Sequence, residues 1–168
     1  VSENGVTMHL PIANGSIDII YSLKPNSYVL DMDVKANNLD GFFPSNTKSM
    51  QIEWTEDMKQ QEKGYDFETR YATITYRDIN NETYELSSTG SDSEEDEFEE
   101  KTEWIAYKTQ FFSQVLIADS PVSINNMSSS QLEKGSGYLK TYKTNFVADF
   151  DPKGIKPTSF HFYLGPNK

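Results

Sequence analysis

The chain has 168 residues, with 26 acidic against 15 basic side chains, a formal charge of −11, ten Tyr, ten Phe and no Cys. That balance excludes nucleic-acid phosphates and anionic lipid surfaces as partners, since both need clustered Lys and Arg, and the only Arg residues are Arg70 and Arg77. Disulfides, thiol catalysis and Cys-based zinc sites are excluded too, and no apolar run approaches the roughly 18 residues of a membrane span.

Period-2 alternation is the main signal along the chain. The turn at Ala13 to Gly15 predicts a strand over Val6 to Ile12 before it. Ile17, Ile19, Tyr21 and Leu23 then alternate with Ser16, Asp18 and Ser22. "KPNS" (Lys24 to Ser27) connects this strand to a second, because Pro25 presets a turn φ and Asn26 tolerates a left-handed backbone. In "SYVLDMDVKAN", Tyr28, Leu30, Met32, Val34 and Ala36 face one way and the polar residues the other, a half-buried strand.

Met50, Ile52 and Trp54 share a face of the next strand. "FETRYATITYRD" and "ETYELSS" flank a turn at Asn80-Asn81. "GYLKTYKTNFVADF" and "SFHFYLGP" supply the last two strands. Helical periodicity is confined to single turns at Glu56 to Glu62 or Ser128 to Lys134. The fold class is therefore all-β: an antiparallel β-sandwich with little helix, in a single domain over 1–168. "SSTGSDSEEDEFEE" carries seven acids between Asp92 and Glu100 and one apolar residue, Phe98. It cannot bury enough to offset ordering entropy, so 88–101 reads as a flexible, solvated acidic loop.

"EWIAYKTQFF" (Glu103 to Phe112) is the densest aromatic and apolar run. Read as one long strand to Ile117, it puts Ile105, Tyr107, Phe111, Val115 and Ile117 on a core face, with a bend near Thr109 to Ser113. Trp104, Ala106 and Phe112 fall on the other face. Phe111 is then core, and Phe111→Ala is expected to unfold the domain. Trp104 and Phe112, with Trp54 and Tyr65, are the candidate partner or ligand surface, because aromatic side chains anchor interfaces and stack on sugars.

No catalytic, cofactor or metal residue is assigned. The acidic run lacks the D-x-[DN]-x-[DN]-G spacing of a calcium loop, Ser lacks a G-x-S-x-G context, and "GSG" (Gly135 to Gly137) is not followed by the Lys of a phosphate loop. His9 and His161 sit in strand patterns with no H-x-H or H-E-x-x-H spacing, and read as edge or hydrogen-bonded core residues sooner than as an acid–base pair.

The order of segments goes further. A "SLKPNSYVLDMDVKANN" hairpin, an acidic loop, "WIAYKTQFFSQVLIA" and a closing "FYLGPNK" together resemble the large periplasmic domain of the YidC family of bacterial membrane protein insertases. Trp104, Ile105 and Ala106 match its Trp-aliphatic-Ala start, Phe111 and Phe112 its aromatic pair, Gly165 and Pro166 its closing Gly-Pro. The resemblance implies a β-supersandwich similar to galactose mutarotase. It also implies a non-catalytic domain on the periplasmic side of the inner membrane, with no cofactor, attached through transmembrane helices that this chain lacks. It implies partners as well: the Sec translocon with its SecD/SecF accessory part, and nascent membrane proteins. The family domain begins further upstream, so this chain corresponds to about its C-terminal two-thirds. Two other readings stay open: a carbohydrate-binding or sugar-modifying sandwich, and a surface lipoprotein or adhesin-like module.

Overall fold

A computed structural model describes residues 3–86, 92–95 and 98–167, with residues 93–95 described by their backbone alone. Strands β1 (Gly5–Ile12), β2 (Gly15–Leu23), β3 (Val29–Asn37) and β4 (Ser49–Lys59) precede a short helix, α1 (Tyr65–Arg70). Then follow β5 (Thr73–Asp78), β6 (Thr83–Glu85), β7 (Asp92–Glu95), β8 (Thr102–Lys108), β9 (Phe112–Gln131), β10 (Tyr138–Asp149) and β11 (Thr158–Pro166). The strands form two layers. The larger runs β1-β2-β3-β11-β9-β8-β5-β6, and the smaller holds β4, β10, the C-terminal half of β9 and β7. All described pairings are antiparallel.

Local sequence explains the early turns. Asn26 adopts φ 57° in the predicted "KPNS" turn, and Ala13 takes φ 48° between β1 and β2, conformations reached readily by Asn and less so by Ala. Gly15 opens β2 because a Cβ there would sit 2.1 Å from the Asn37 carbonyl oxygen of β3. The β5–β6 turn is built by Asp78, whose Oδ1 accepts from the backbone N–H of Asn80 at 2.8 Å and of Glu82 at 3.0 Å.

One strand joins the layers. The first part of β9 pairs with β8 and β11, and its second part pairs with β10 and β7. At the crossing, Ile117 pairs with Trp104 and Val122 with Thr102, so residues 118–121 stand opposite Glu103 alone. A bulge lets a strand change sheets, and Pro121, which has no N–H to give a ladder, falls inside it.

The core lies between the layers. Tyr107, Ile74, Ile105, Leu116 and Phe160 come from the larger sheet, and Tyr142, Phe146, Leu139 and Met127 from the smaller. Trp54 of β4 stacks on Tyr107 with ring centroids 3.8 Å apart and planes at 13°, a contact worth roughly 0.5–1.5 kcal/mol beyond area burial. The Tyr107 hydroxyl donates to the Trp54 carbonyl at 2.9 Å and lies 2.8 Å from Thr144 Oγ1. Burial pushes its pKa above the ordinary phenol value.

Among the described residues, two charged side chains are fully buried beside the core. The Glu68 carboxylate accepts from the backbone N–H groups of Gln61 and Glu62 at 2.9–3.1 Å, tying the approach loop to α1. Lys140 Nζ donates to the Ala72 carbonyl at 2.8 Å, and burial lowers its pKa.

Several sequence expectations are corrected. The helix is Tyr65–Arg70, whereas Glu56 to Lys59 and Ser128 to Gln131 lie in strands, because β4 and β9 run through them as ladder partners of β10. Of the segment read as an acidic loop, Asp92–Glu95 forms β7 along β9, a pairing that needs only backbone groups. Phe98 packs on Tyr76 at 5.3 Å. The remainder of that reading falls partly on residues 87–91, 96 and 97, which lie outside the described residues.

The expected continuous strand from Trp104 to Ile117 is a hairpin. Strand β8 ends at Lys108, and Thr109 closes a tight turn by donating its N–H to the Phe112 carbonyl at 2.9 Å. Phe111 is therefore a turn residue, 41% exposed, and is not core. Accordingly, Phe111→Ala should cost under about 1.5 kcal/mol in urea denaturation, whereas Phe160→Ala, at a fully buried site, should cost ~3–5 kcal/mol.

Candidate docking surface

The hairpin decides which side chains leave the core. Partners directly opposite on antiparallel strands point to the same side, so Trp104, paired with Ile117, and Ala106, paired with Val115, project from the outer face of the larger sheet. Tyr163 joins them from β11 and Val29 from β3. With Thr75, Lys108, Ser113, Pro166 and Asn167, they line a shallow basin of about 440 Å³.

The basin's upper rim is built by the C-terminal residues. Asn167 Nδ2 donates to the carbonyls of Thr109 at 3.0 Å and Gln110 at 2.9 Å, and Ser113 Oγ donates to Asn167 Oδ1 at 2.5 Å. The Asn167 N–H also donates to the Phe111 carbonyl at 2.8 Å. The Tyr163 hydroxyl bends over to donate to the Pro166 carbonyl at 2.6 Å. That leaves no room for a side chain at Gly165, where a Cβ would lie 2.8 Å from Tyr163 Oη. The Gly165-Pro166 pair thus shapes this end of the basin.

The lower rim is polar. His161 of β11 sits between two carboxylates, with Nδ1 2.5 Å from Asp31 Oδ1 on β3 and Nε2 2.8 Å from Asp119 Oδ1 at the β9 crossing. The hydrogen bond to Asp31 raises its pKa, partial burial opposes that, and Asp119 adds to the rise. Alongside, Ser159 Oγ donates to Asp33 Oδ1 at 2.6 Å.

The predicted surface residues do not converge. Trp104 lines the basin. Phe112 is 48% exposed but shares the alternation of Leu116, so it projects toward the opposite side of the sheet. Trp54 lies between the layers against Tyr107 and edge-on to Phe162. Tyr65 is buried on α1, its hydroxyl bonded to the Leu132 carbonyl and to Gln131 Nε2. Both are structural. Of the motif residues, Ile105 and Ala106 are buried on opposite sides of β8.

His9 and His161 are not a pair. His9, on β1, meets Asp18 at 2.7 Å, and β1 pairs with β2 alone among the described residues. The row of His161 passes through Asp31 and Ser22 to Gly5, four residues from His9 along β1. Val115, Ile117, Val29 and Tyr163 are the basin residues that sequence reasoning missed. Their signal was an aliphatic or aromatic side chain on the alternation opposite to Leu116 and Phe160, visible once the turn at Thr109 is placed.

Fold and surface together define an antiparallel β-sandwich with one aromatic basin on its outer face. Residues 2–168 match the family model described as the YidC periplasmic domain. The chain is 38% identical over 168 residues to a protein of Phocaeicola vulgatus named membrane protein insertase YidC, an alignment covering 99% of this chain and 27% of that protein. A Bacteroides fragilis protein of the same name is 38% identical over 167 residues, with 99% and 27% covered, and one from Porphyromonas gingivalis is 30% identical over 168 residues, again with 99% and 27% covered. The chain belongs to the YidC periplasmic domain family. It spans about 27% of the length of the curated relatives it matches, and none of its described helices is long and apolar enough to cross a membrane.

The histidine cluster gives a pH test. His161 has a raised pKa in the folded state, so its stabilising contribution is complete below about 6.5 and is lost as pH rises through the raised value. The thermal midpoint of the wild type should exceed that of His161→Gln by more at pH 5.5 than at pH 9. Equal differences at both pH values would contradict the assignment.

Proposed function

We propose that this chain is a non-catalytic periplasmic domain of a membrane protein insertase. It assists the insertion and folding of inner-membrane proteins through contacts with Sec components, including SecD/SecF, or with nascent membrane protein chains. The observation that carries the reading is the alignment of nearly the whole chain with relatives named as membrane protein insertases. The basin around Trp104 is its docking surface. It is apolar at the centre and ringed by the Asp31–His161–Asp119 cluster on one side and the Asn167-braced turn on the other, the arrangement of a buried anchor with a polar rim. The domain needs no cofactor and lies on the periplasmic side, held there by transmembrane segments elsewhere in the full-length protein.

The carbohydrate-binding alternative has one observation in its favour, since His161, held between two carboxylates, lies in the same ladder row as Trp104, with Ile117 between them. Both imidazole nitrogens are engaged by those carboxylates, however, which leaves the ring no free position for acid–base work on a sugar. A glycan array probed with the domain should give no binding.

The decisive variants are Trp104→Ala and Val115→Lys in the full-length protein. They should leave the unfolding midpoint of the domain within about 1.5 kcal/mol of wild type while lowering recovery of Sec components or nascent chains in pull-downs. Unchanged recovery, together with unchanged growth after deletion of the whole domain, would sink the docking reading.

A further inference from the structure

The exposed aromatic side chains are gathered at one end of the sandwich. Tyr28, Phe67, Tyr71, Phe111, Phe112 and Tyr138 are 41–58% exposed. In the larger sheet, Phe112 pairs with Pro166 at the last rung of the β9–β11 ladder, and Phe111 lies in the turn before it. Tyr28, just ahead of β3, accepts the Leu164 N–H at its carbonyl. In the smaller layer, Tyr138 pairs with Lys59 at the first rung of the β4–β10 ladder. The Tyr142 hydroxyl donates to the Lys108 carbonyl at 3.3 Å and Lys140 Nζ to the Ala72 carbonyl, so this end of β10 lies over the Lys108 end of β8. Helix α1 bridges the two layers here. It carries Phe67 and Tyr71, their rings 5.1 Å apart, and its Tyr65 hydroxyl holds the Leu132 carbonyl on the way into β10. Among the described residues, the only exposed aromatics elsewhere are Phe42 and Tyr84.

The charge around these rings departs from that of the chain. Lys59, Lys63, Arg70, Lys108 and Lys134 fall within 59–71, 108–112 and 132–138, the segments that carry Phe67, Tyr71, Phe111, Phe112 and Tyr138. The acidic residues of the same segments are Glu62, Asp66, Glu68 and Glu133. Glu68 is buried on the Gln61 and Glu62 amides, and Asp66 is paired with Lys134 at 2.7 Å. In a chain of net charge −11, the excess of acid is therefore absent from this end.

The combination selects the occupant. A protein interface anchored on aromatic side chains is depleted in Lys. Rings interleaved with long cationic side chains have instead the composition of a bilayer interface: the rings sit at headgroup depth, and Lys and Arg lay their stems along apolar surface while their charges reach phosphate. We propose that this end of the domain rests on a lipid bilayer, with Phe67, Tyr71, Phe111 and Tyr138 at headgroup depth and Lys59, Lys63 and Arg70 on the phosphates of zwitterionic phospholipid. The inference rests on the reading that transmembrane segments of the full-length protein hold the domain at a membrane. It adds a contact beyond the Trp104 basin and leaves the basin to protein partners.

The test uses the full-length protein, freed of other cysteines, in liposomes of phosphatidylethanolamine and phosphatidylcholine with no partner added. A nitroxide is attached at Phe67→Cys, at Phe111→Cys or, at the opposite end of the sandwich, at Ile155→Cys, a position 82% exposed. All three positions are at the surface, so no label displaces core packing. Power-saturation EPR should give a severalfold higher ratio of oxygen to nickel-chelate collisions at 67 and 111 than at 155, because oxygen concentrates in lipid and the chelate in water. Equal ratios at the three positions would overturn the proposal. So would labels at 67 and 111 shielded from both reagents, as a second copy or another protein would shield them. Flotation of the protein with the liposomes reports membrane attachment by itself, so failure of that reading is told apart from failure of this one. As a second readout, Phe67→Ser with Tyr71→Ser should shift the ratio at position 111 toward that at 155, and an unchanged ratio would overturn the proposal as well.

Discussion

The structure depends on a single strand that belongs to two layers. Strand β9 takes its first hydrogen bonds from β8 and β11 and its last from β10 and β7, with the bulge around Pro121 between them. Because β9 is shared, the layers are covalently continuous at their centre as well as packed face to face. The aromatic contacts then have a fixed place to form: Tyr107 comes down from β8 to meet Trp54 of β4 and Tyr142 of β10.

This arrangement separates two kinds of apolar surface. Leu116, Ile105, Tyr107 and Phe160 face the smaller layer and are used for stability. Trp104, Val115, Ile117 and Tyr163 stand on the reverse of the same strands, where the described residues place no second layer over them. An apolar centre on that reverse face adds nothing to the core, which is the physical basis of the proposed docking role. The rim groups are preorganised. The Asn167 amide holds the turn, and His161 is fixed by Asp31 and Asp119.

Much of the fold was legible in the alternation. The β2–β3 hairpin followed from Pro25 and Asn26, and the sandwich class from repeated half-buried strands with frequent turns. The run from Trp104 to Phe112 was misread for a physical reason. No Gly, Pro or Asn marks the turn at Thr109 to Phe111. It is held by Thr109 and by Asn167, 58 residues away in sequence, a long-range brace that no local pattern reports. One missed turn then reversed the assigned face of Val115 and Ile117 and put Phe111 in the core. Short α1 was hidden likewise: its anchors are the buried Glu68 reaching back to the Gln61 and Glu62 amides and Tyr65 reaching Leu132, neither of which has a 3.6-residue period. Of the surface residues named from the sequence, only Trp104 lines the candidate basin. Trp54 and Tyr65 were drawn in because large aromatic side chains fill β cores as readily as they line surfaces.

The central claim is that the reverse face of β8 and β9 engages a partner while the inter-layer aromatics do not. Oxidative footprinting of the full-length protein, alone and with the Sec complex and a stalled nascent membrane protein chain, measures this directly. The account predicts that Trp104 and Tyr163 lose reactivity when the partner is present and that Trp54 does not change. Unaltered reactivity of Trp104 and Tyr163 in a complex shown to have formed would contradict it.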